Sequence, residues 1–121
     1  MSRVPPVAPS AILEIAPLLE QAERAMGYLP NELLSSCHWP ELLQSLGDLV
    51  HTELRAEEVN PTLKRLIGII ISCNQGCTYC TACSSYGANQ LGVDAKKIAA
   101  VFEFETSPLF TDTERAVLRV A

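Results

Sequence analysis

The sequence predicts an all-α domain, and three observations support that prediction. Hydrophobic residues make up 48% of the 121-residue chain and aromatic residues only 6%, so we expect a core of Leu, Ile, Val and Ala. Apolar residues recur at helical spacing in several successive segments. Capping residues, first-turn prolines and glycine stops divide those segments into several short helices. At this length we expect a single domain that spans residues 1–121.

The N-terminal residues 1–9 contain three prolines, which cannot hold a helical hydrogen-bond ladder, so we predict an extended arm there. From about Ser10 to Met26 the apolar residues follow helical spacing, and Pro17 marks the first turn of the regular part. Gly27 is a natural stop. The pattern therefore predicts a first helix that ends at Met26.

Two further helices are predicted before the middle of the chain. Asn31 is placed to cap a short helix that must end before Pro40. Pro40 then opens another helix, whose apolar stripe consists of Leu42, Leu43, Leu46 and Leu49. The charged residues 51–59 are most simply a solvated loop or the end of that helix.

The second half of the chain begins with Asn60 and Pro61, a cap followed by a first-turn proline, and the helix they open runs toward Cys73. Its nearly continuous apolar face predicts deep burial. Gly76 interrupts the pattern, and a second helix is expected to start at Cys77 and to continue to Gly92.

Two more helices complete the predicted fold. Asp94 is placed to cap one of them, while Thr111 and Glu114 form a capping box for the last. That last helix reaches Ala121 without a C-terminal signal. We therefore expect either a fragment of a longer domain or a core that further subunits complete.

The charge and hydropathy of the chain argue against several classes of partner. A net charge of −5 provides no basic surface for phosphate backbones, so a nucleic acid partner is not expected. The N-terminus lacks a secretory pattern, and no stretch approaches the roughly 20 apolar residues that cross a bilayer. We therefore expect no membrane partner and a cytoplasmic protein whose thiols are reduced at rest.

Four of the five cysteines, Cys73, Cys77, Cys80 and Cys83, fall in one short stretch. If Cys77 begins a helix, the free N–H groups and the positive end of the helix dipole favour thiolate at the Cys-x-x-Cys pair. Cys77 and Cys80 lie one turn apart on the same face, where a disulfide can form with modest adjustment. A redox-active pair is the first interpretation, and no cofactor or metal is expected with it.

Other interpretations of the cluster remain open. The spacing of Cys73, Cys77 and Cys80 matches the iron–sulfur loop of radical-SAM enzymes, but that chemistry is found in a large βα barrel, which this short chain cannot form. A single zinc site fits poorly, since Cys73 and Cys83 on a continuous helix would be about 15 Å apart. Inert thiols are the third possibility. Cys37, far from the cluster, is expected to be a small buried hydrophobe, and core packing is expected for Cys73.

Several segments resemble the carboxymuconolactone decarboxylase and AhpD-like alkylhydroperoxidase superfamily. The segment 77–82, Cys-Thr-Tyr-Cys-Thr-Ala, follows an apolar helix and precedes Leu-Gly-Val-Asp at 91–94. The turn at 27–31 and the residues 111–118 are similar to further elements of that pattern. The resemblance covers most of the chain from about residue 15, and it implies an AhpD-like helical bundle that assembles as a homo-oligomer, a trimer or hexamer.

The resemblance also implies an activity. In the peroxidase branch the second cysteine attacks the peroxide and the first resolves the sulfenic acid, which corresponds to Cys80 and Cys77 here. The Glu and His of that branch's proton relay fall on Arg65 and Ser84, so a cation replaces a base and a hydroxyl replaces an imidazole. Arg65 can favour a thiolate electrostatically and Ser84 can hydrogen-bond Cys80, yet neither shuttles protons well near neutral pH.

These residues lead to a predicted function with two alternatives. We predict a thiol-dependent peroxidase or disulfide oxidoreductase with an antioxidant role, whose partners are a peroxide or disulfide substrate and a dithiol reductant. The first alternative is a catalytically impaired helical module of the same fold. The second is an enzyme of the decarboxylase branch, which acts on a lactone acid and does not need the cysteine pair. His38 and His51 are candidate replacement bases, although surface or helix-end positions are commoner for such residues.

Overall fold

The computed structural model describes residues 3–8, 13–55 and 58–121, and within these ranges it contains seven α-helices and no strand. The prediction of an all-α chain of short helices is therefore confirmed. Ser10, the predicted start of the first helix, and Pro9 of the predicted arm lie outside the described residues. The chain forms two compact units, Met1–Ala56 and Glu57–Ala121. That the two make up a single domain stays a prediction.

The first unit contains α1 (Ala16–Met26), α2 (Asn31–Ser36) and α3 (Pro40–Arg55), preceded by a 3-10 turn at Leu13–Ile15. Pro17 lies in the first turn of α1, and Gly27 ends that helix in the left-handed conformation with φ of 75°. The core of this unit is a small cluster of buried residues, Ile15, Leu19, Cys37 and Leu43.

Of two predictions in this unit, one is wrong and one is confirmed. The cap assigned to Asn31 is wrong, because the N-cap is Pro30, whose extended backbone directs its carbonyl to the N–H groups of Leu33 and Leu34. The charged residues after His51 are the end of α3, one of the two forms expected for that segment.

The second unit contains α4 (Pro61–Asn74), α5 (Thr78–Gln90), α6 (Ala95–Ala99) and α7 (Asp112–Leu118), with a 3-10 turn at Ala100–Glu103. Helices α4 and α5 form the principal packing pair of this unit, and α4 also packs against α7. The core is one cluster of buried residues, Leu63, Leu66, Ile69, Ile70, Ala88, Val101, Phe110 and Leu118. Burial of α4 is thus confirmed, although Ile71 in its last turns is 43% exposed.

The predicted helix starts in this unit are confirmed by hydrogen bonds. The Thr62 N–H donates to Asn60 Oδ1 at 2.8 Å, and the Lys96 N–H donates to Asp94 Oδ1 at 2.6 Å. At the start of α7 the capping box is complete, because Thr111 Oγ1 accepts from the Glu114 N–H and the Glu114 carboxylate accepts from the Thr111 N–H. No helix in the described part of the chain is long and apolar enough to cross a bilayer.

Candidate functional site

The turn between α4 and α5 positions the cysteine pair. Gly76 has φ of 69°, a left-handed conformation that glycine adopts without strain, and its N–H donates to the Cys73 carbonyl at 2.9 Å. The next residue, Cys77, donates its N–H to the Ser72 carbonyl at 2.8 Å. These two bonds are the Schellman closure of a helix C-terminus, so α4 ends at a fixed point immediately before Cys77.

Cys77 also begins the next helix. It is the N-cap residue of α5, and its Sγ accepts the Cys80 N–H at 3.2 Å, the role that a Ser or Asp oxygen usually plays. One turn later the Thr81 hydroxyl donates to the Cys77 carbonyl at 2.9 Å. The expected start of a helix at Cys77 is thus confirmed, and the sulfur lies at the N-terminal, positive end of the helix dipole.

Cys77 and Cys80 are joined by a disulfide, with their Cα atoms 5.3 Å apart. Cys77 is half-buried while Cys80 is exposed. A pair that can close over one helical turn, with one sulfur open to solvent, can accept two electrons and return them without rearranging the backbone. Within the described residues no group of three or more Cys, His, Asp or Glu is arranged to hold a metal ion.

The other cysteines have different surroundings. Cys37 is 2% exposed and its thiol donates to the Leu33 carbonyl, so the prediction of a small buried hydrophobe is confirmed. Burial raises the pKa of the Cys37 thiol. The prediction of core packing for Cys73 is wrong, because Cys73 lies in the last turn of α4, beyond the buried residues of that helix, and is exposed. Cys83 is half-buried on α5 and forms no disulfide.

Arg65 and Ser84 both lie where α4 and α5 pack together. A Cβ placed on Gly87 of α5 would be 2.9 Å from Arg65 Nε, so the guanidinium lies directly against the α5 backbone. A Cβ placed on Gly68 of α4 would be 2.9 Å from Ser84 Oγ. The structure thus places both residues along α5, on the same face as Cys80, while their roles in catalysis stay predictions.

Sequence reasoning missed Gly68, Gly87 and Thr81. The signal for the glycines was present, because a glycine inside a helix weakens it by about 1 kcal/mol relative to alanine and often marks a close approach. Thr81 is four residues after Cys77, the spacing at which a hydroxyl can bond back to a helix carbonyl. The importance of all three depends on packing that only the structure shows.

The two histidines have partners in the first unit. His38 Nε2 is 2.9 Å from the Pro5 carbonyl oxygen, which fixes the ring against the N-terminal segment. His51 Nδ1 lies 3.3 Å from Gln21 Nε2, and His51 Nε2 lies 3.3 Å from an Arg55 nitrogen on the same helix. Both are exposed, the surface and helix-end setting that the sequence favoured.

Comparison with known proteins adds three findings. The family model described as the carboxymuconolactone decarboxylase family matches residues 40–121, a range that includes α3 to α7 and the cysteine pair. No curated protein matches the chain.

Two solved structures share the fold along nearly the whole chain. Both are of the debrominase Bmp8, one as a cysteine-to-alanine variant in complex with 2,3,4-tribromopyrrole and the other in the apo form. The TM-score is 0.89 for each, with sequence identities of 30% and 31%. The match covers 98% of the present chain, which spans 64% of the length of the Bmp8 chain.

Proposed function

We propose, since the chain belongs to the carboxymuconolactone decarboxylase family, that it is a thiol-dependent oxidoreductase that reduces peroxides with the Cys77–Cys80 pair. The observation that carries this proposal is the disulfide across the first turn of α5, with Cys77 as the helix cap and Cys80 exposed to solvent. A dithiol in that position is a two-electron donor that can be regenerated.

The proposed cycle starts from the dithiol. The Cys80 thiolate attacks one peroxide oxygen, the O–O bond breaks, and the alcohol leaves after it has taken a proton. Cys80 is now a sulfenic acid. The Cys77 thiolate attacks the Cys80 sulfur, the S–S bond forms as the S–O bond breaks, and the hydroxide takes a proton from solvent and leaves as water. An external dithiol then reduces the disulfide and is itself oxidised to a disulfide.

The assignment of the two sulfurs follows their surroundings. Cys80 is the more exposed, which suits the residue that must meet the peroxide first. Cys77 is held by both helices, through its backbone N–H and through its capping sulfur, which suits the residue that waits to resolve the intermediate. The N-terminal end of α5 favours the thiolate form of both.

Arg65 does not serve as the missing base in this cycle. It packs against Gly87, seven residues and about 10 Å along the helix axis from Cys80, so it does not contact the attacking sulfur directly. A guanidinium stays protonated, and the Ser84 hydroxyl does not titrate near neutral pH. We therefore expect the leaving alkoxide to take its proton from solvent, which slows turnover relative to a site with a positioned acid.

The wider setting of this function is also part of the proposal. The reductant is a small or protein dithiol, the protein acts in the cytoplasm, and its homo-oligomer is a trimer or hexamer. The exposed apolar residues support an assembly, among them Leu42, Leu46, Leu49 and Val50 on α3.

The direct test measures peroxide consumption in the presence of a dithiol reductant. We expect the native chain to turn over and Cys80→Ser to fall to background, while Cys77→Ser turns over more slowly than the native chain, because the external dithiol must then reduce the Cys80 sulfenic acid itself. Cys73→Ser is the matched control, because Cys73 is an exposed thiol outside the pair, and its activity should equal that of the native chain. Equal background rates in all four proteins would refute the peroxidase proposal.

A second candidate is reductive debromination of a bromopyrrole, and the similarity to Bmp8 at 30–31% identity over 98% of the chain supports it. The same dithiol would supply the two electrons: bromine leaves as bromide, the ring carbon takes a proton, and the pair closes to a disulfide. Incubation with 2,3,4-tribromopyrrole and a dithiol tests this candidate. Bromide release that Cys77→Ser and Cys80→Ser both abolish would favour it over peroxide reduction if peroxide consumption is absent.

The catalytically impaired module makes the opposite prediction for the thiols. Its cysteines would ionise near 8.5, the ordinary value for a free thiol, in the pH dependence of alkylation of the reduced protein. A helix-stabilised thiolate at Cys77 or Cys80 would ionise below that value. An ordinary profile together with inactivity toward peroxide and bromopyrrole would establish the module instead.

A further inference from the structure

The guanidinium of Arg65 is a cation without a counter-ion. It is half-buried against the backbone of α5 at Gly87, and no hydrogen bond or ion pair to it is present among residues 3–8, 13–55 and 58–121. In contrast, the other two arginines of the same unit are paired. Arg115 donates to a carbonyl and to a carboxylate, and Arg119 donates to both oxygens of one carboxylate. A guanidinium has five N–H donors in a planar fork that suits a carboxylate, so an anionic group at Arg65 would satisfy it.

Ser84 presents a second unused polar group beside the first. Its hydroxyl lies against Gly68 of α4, and it has no hydrogen-bond partner in the part of the chain that the structure describes. No side-chain nitrogen or oxygen in those residues is both fully buried and without a partner. Arg65 and Ser84 therefore remain open to solvent and to a ligand.

These two groups are aligned with the reactive cysteine. Cys80, Ser84 and Gly87 are spaced by four and three residues on α5, so they lie on one face of the helix, and Arg65 covers the last of them. Along the axis, Ser84 is about 6 Å and Gly87 about 10 Å from Cys80. The glycines at 68 and 87 leave the space that these polar side chains occupy.

We propose that Arg65 binds the carboxylate end of the substrate, so that the natural oxidant is an acyclic organic hydroperoxide with its peroxide group about 10 Å from a carboxylate. The carboxylate forms a bidentate pair with Arg65, the chain of the substrate passes Ser84 along the α4–α5 seam, and the peroxide meets Cys80. The cation at position 65 is then a determinant of specificity. Because the oxidant is taken to be a peroxide, this inference rests on the proposed function.

The test compares ω-hydroperoxynonanoic acid with its methyl ester, which has the same chain but no charge. We expect the native protein to have a KM for the acid at least about 10-fold below that for the ester, as expected for a charge-assisted hydrogen-bonded pair. In Arg65→Gln the KM for the acid should rise to that of the ester. Equal KM values for acid and ester in the native protein would overturn the inference.

Two matched variants distinguish the pairing of the carboxylate with Arg65 from a general effect of positive charge on the protein. Arg119→Gln removes an exposed arginine that is paired with Glu105, and it should leave the preference for the acid intact. Gly87→Ala keeps the charge but places a methyl group where the guanidinium lies, and alanine is favourable inside a helix. Loss of the preference in Gly87→Ala supports the assignment, and full retention there contradicts it.

Failure of the proposed function can be told apart from failure of this inference. If neither acid nor ester is consumed faster than by Cys80→Ser, the peroxidase proposal fails. Calorimetry with nonanoate then tests the binding site. The inference is supported if nonanoate binds the native protein and binds Arg65→Gln about 10-fold or more weakly. Absence of binding, or equal binding by both proteins, overturns it.

Discussion

Cys77 makes three interactions that shape the turn between α4 and α5. Its N–H closes α4 by bonding the Ser72 carbonyl, its carbonyl accepts the Thr81 hydroxyl, and its sulfur caps α5 while it is bonded to Cys80. Cys37 shows how strongly the surroundings change a thiol, because it is buried in the first unit with its pKa raised by desolvation. The same side chain is thus an inert core residue at one position and a candidate redox centre at another.

This contrast predicts the order in which the thiols react. In the native disulfide form, we expect iodoacetamide to label the exposed Cys73 at least about 100-fold faster than Cys37, which must wait for local opening. Peptide mapping by mass spectrometry measures both rates. Treatment with a dithiol beforehand should add Cys77 and Cys80 to the labelled set without exposing Cys37. Comparable labelling of Cys37 and Cys73 in the native protein would contradict the burial of Cys37.

Among single residues, the sequence predicted the properties that depend on neighbours close along the chain. The pairing of Cys77 with Cys80 could be anticipated from their spacing, because one helical turn brings both sulfurs to the same face. The exposure of Cys73 could not, since it depends on how far along α4 the rest of the unit covers the helix. The proximity of Arg65 to Gly87 depends likewise on how two helices pack, which no local pattern encodes.

At the scale of the elements, helix starts were predicted well because capping is a local interaction. Asn60, Asp94 and Thr111 each accept the backbone bond that their residue type predicts. Asn31 failed as a cap since the extended Pro30 before it already starts α2 and leaves Asn31 inside the helix. The close approach of α4 to α5 at Gly68 and Gly87 was missed because it joins positions far apart in sequence.

The start of α7 also makes a pH-dependent contribution to stability. Burial acts to raise the pKa of Glu114, but hydrogen bonds from Lys97 and Thr111 outweigh it, so the pKa lies below its ordinary value. The Lys97 Nζ lies 2.6 Å from Glu114 Oε1, with both side chains largely covered. A carboxyl whose folded-state pKa is lowered stabilises the folded state above its unfolded pKa, and that stabilisation is lost as the pH falls through the folded value.

We therefore expect Glu114→Gln to lower the free energy of unfolding by about 1 kcal/mol near pH 7, since it removes a charge-assisted bond. The difference from the native protein should shrink as the pH falls below the ordinary glutamate value of about 4.3. Urea denaturation of both proteins at neutral pH and near pH 3 measures it. Glu105→Gln is the control, because the ion pair of Glu105 with Arg119 is exposed. A difference for Glu114→Gln that does not vary with pH would show that the carboxylate is not its source.

At the scale of the whole molecule, composition was the most informative property of the sequence. Few aromatic residues and many aliphatic ones favoured packed helices, and both buried clusters are built mainly of Leu, Ile and Val. Composition and hydrophobic pattern do not determine which helix faces pack against each other. The division into two compact units at residues 56 and 57 accordingly had no counterpart among the sequence predictions.

The larger cluster predicts where the second unit is most sensitive to mutation. Leu66 is 1% exposed at its centre, so Leu66→Ala should lower the free energy of unfolding by roughly 2–5 kcal/mol through lost burial and the cavity that remains. Leu109 is 44% exposed, and Leu109→Ala makes the same chemical change with an expected effect of less than about 1 kcal/mol. Denaturant unfolding of the two variants measures the contrast, and equal losses would contradict the assigned core.

Cys77 both closes α4 and caps α5, and this limits where the chain can vary in length. An extra residue between Ser72 and Cys80 would separate the closing bond of α4 from the capping bond of α5, so both helix ends would fray together. Insertions and deletions should therefore be excluded at the cysteine turn.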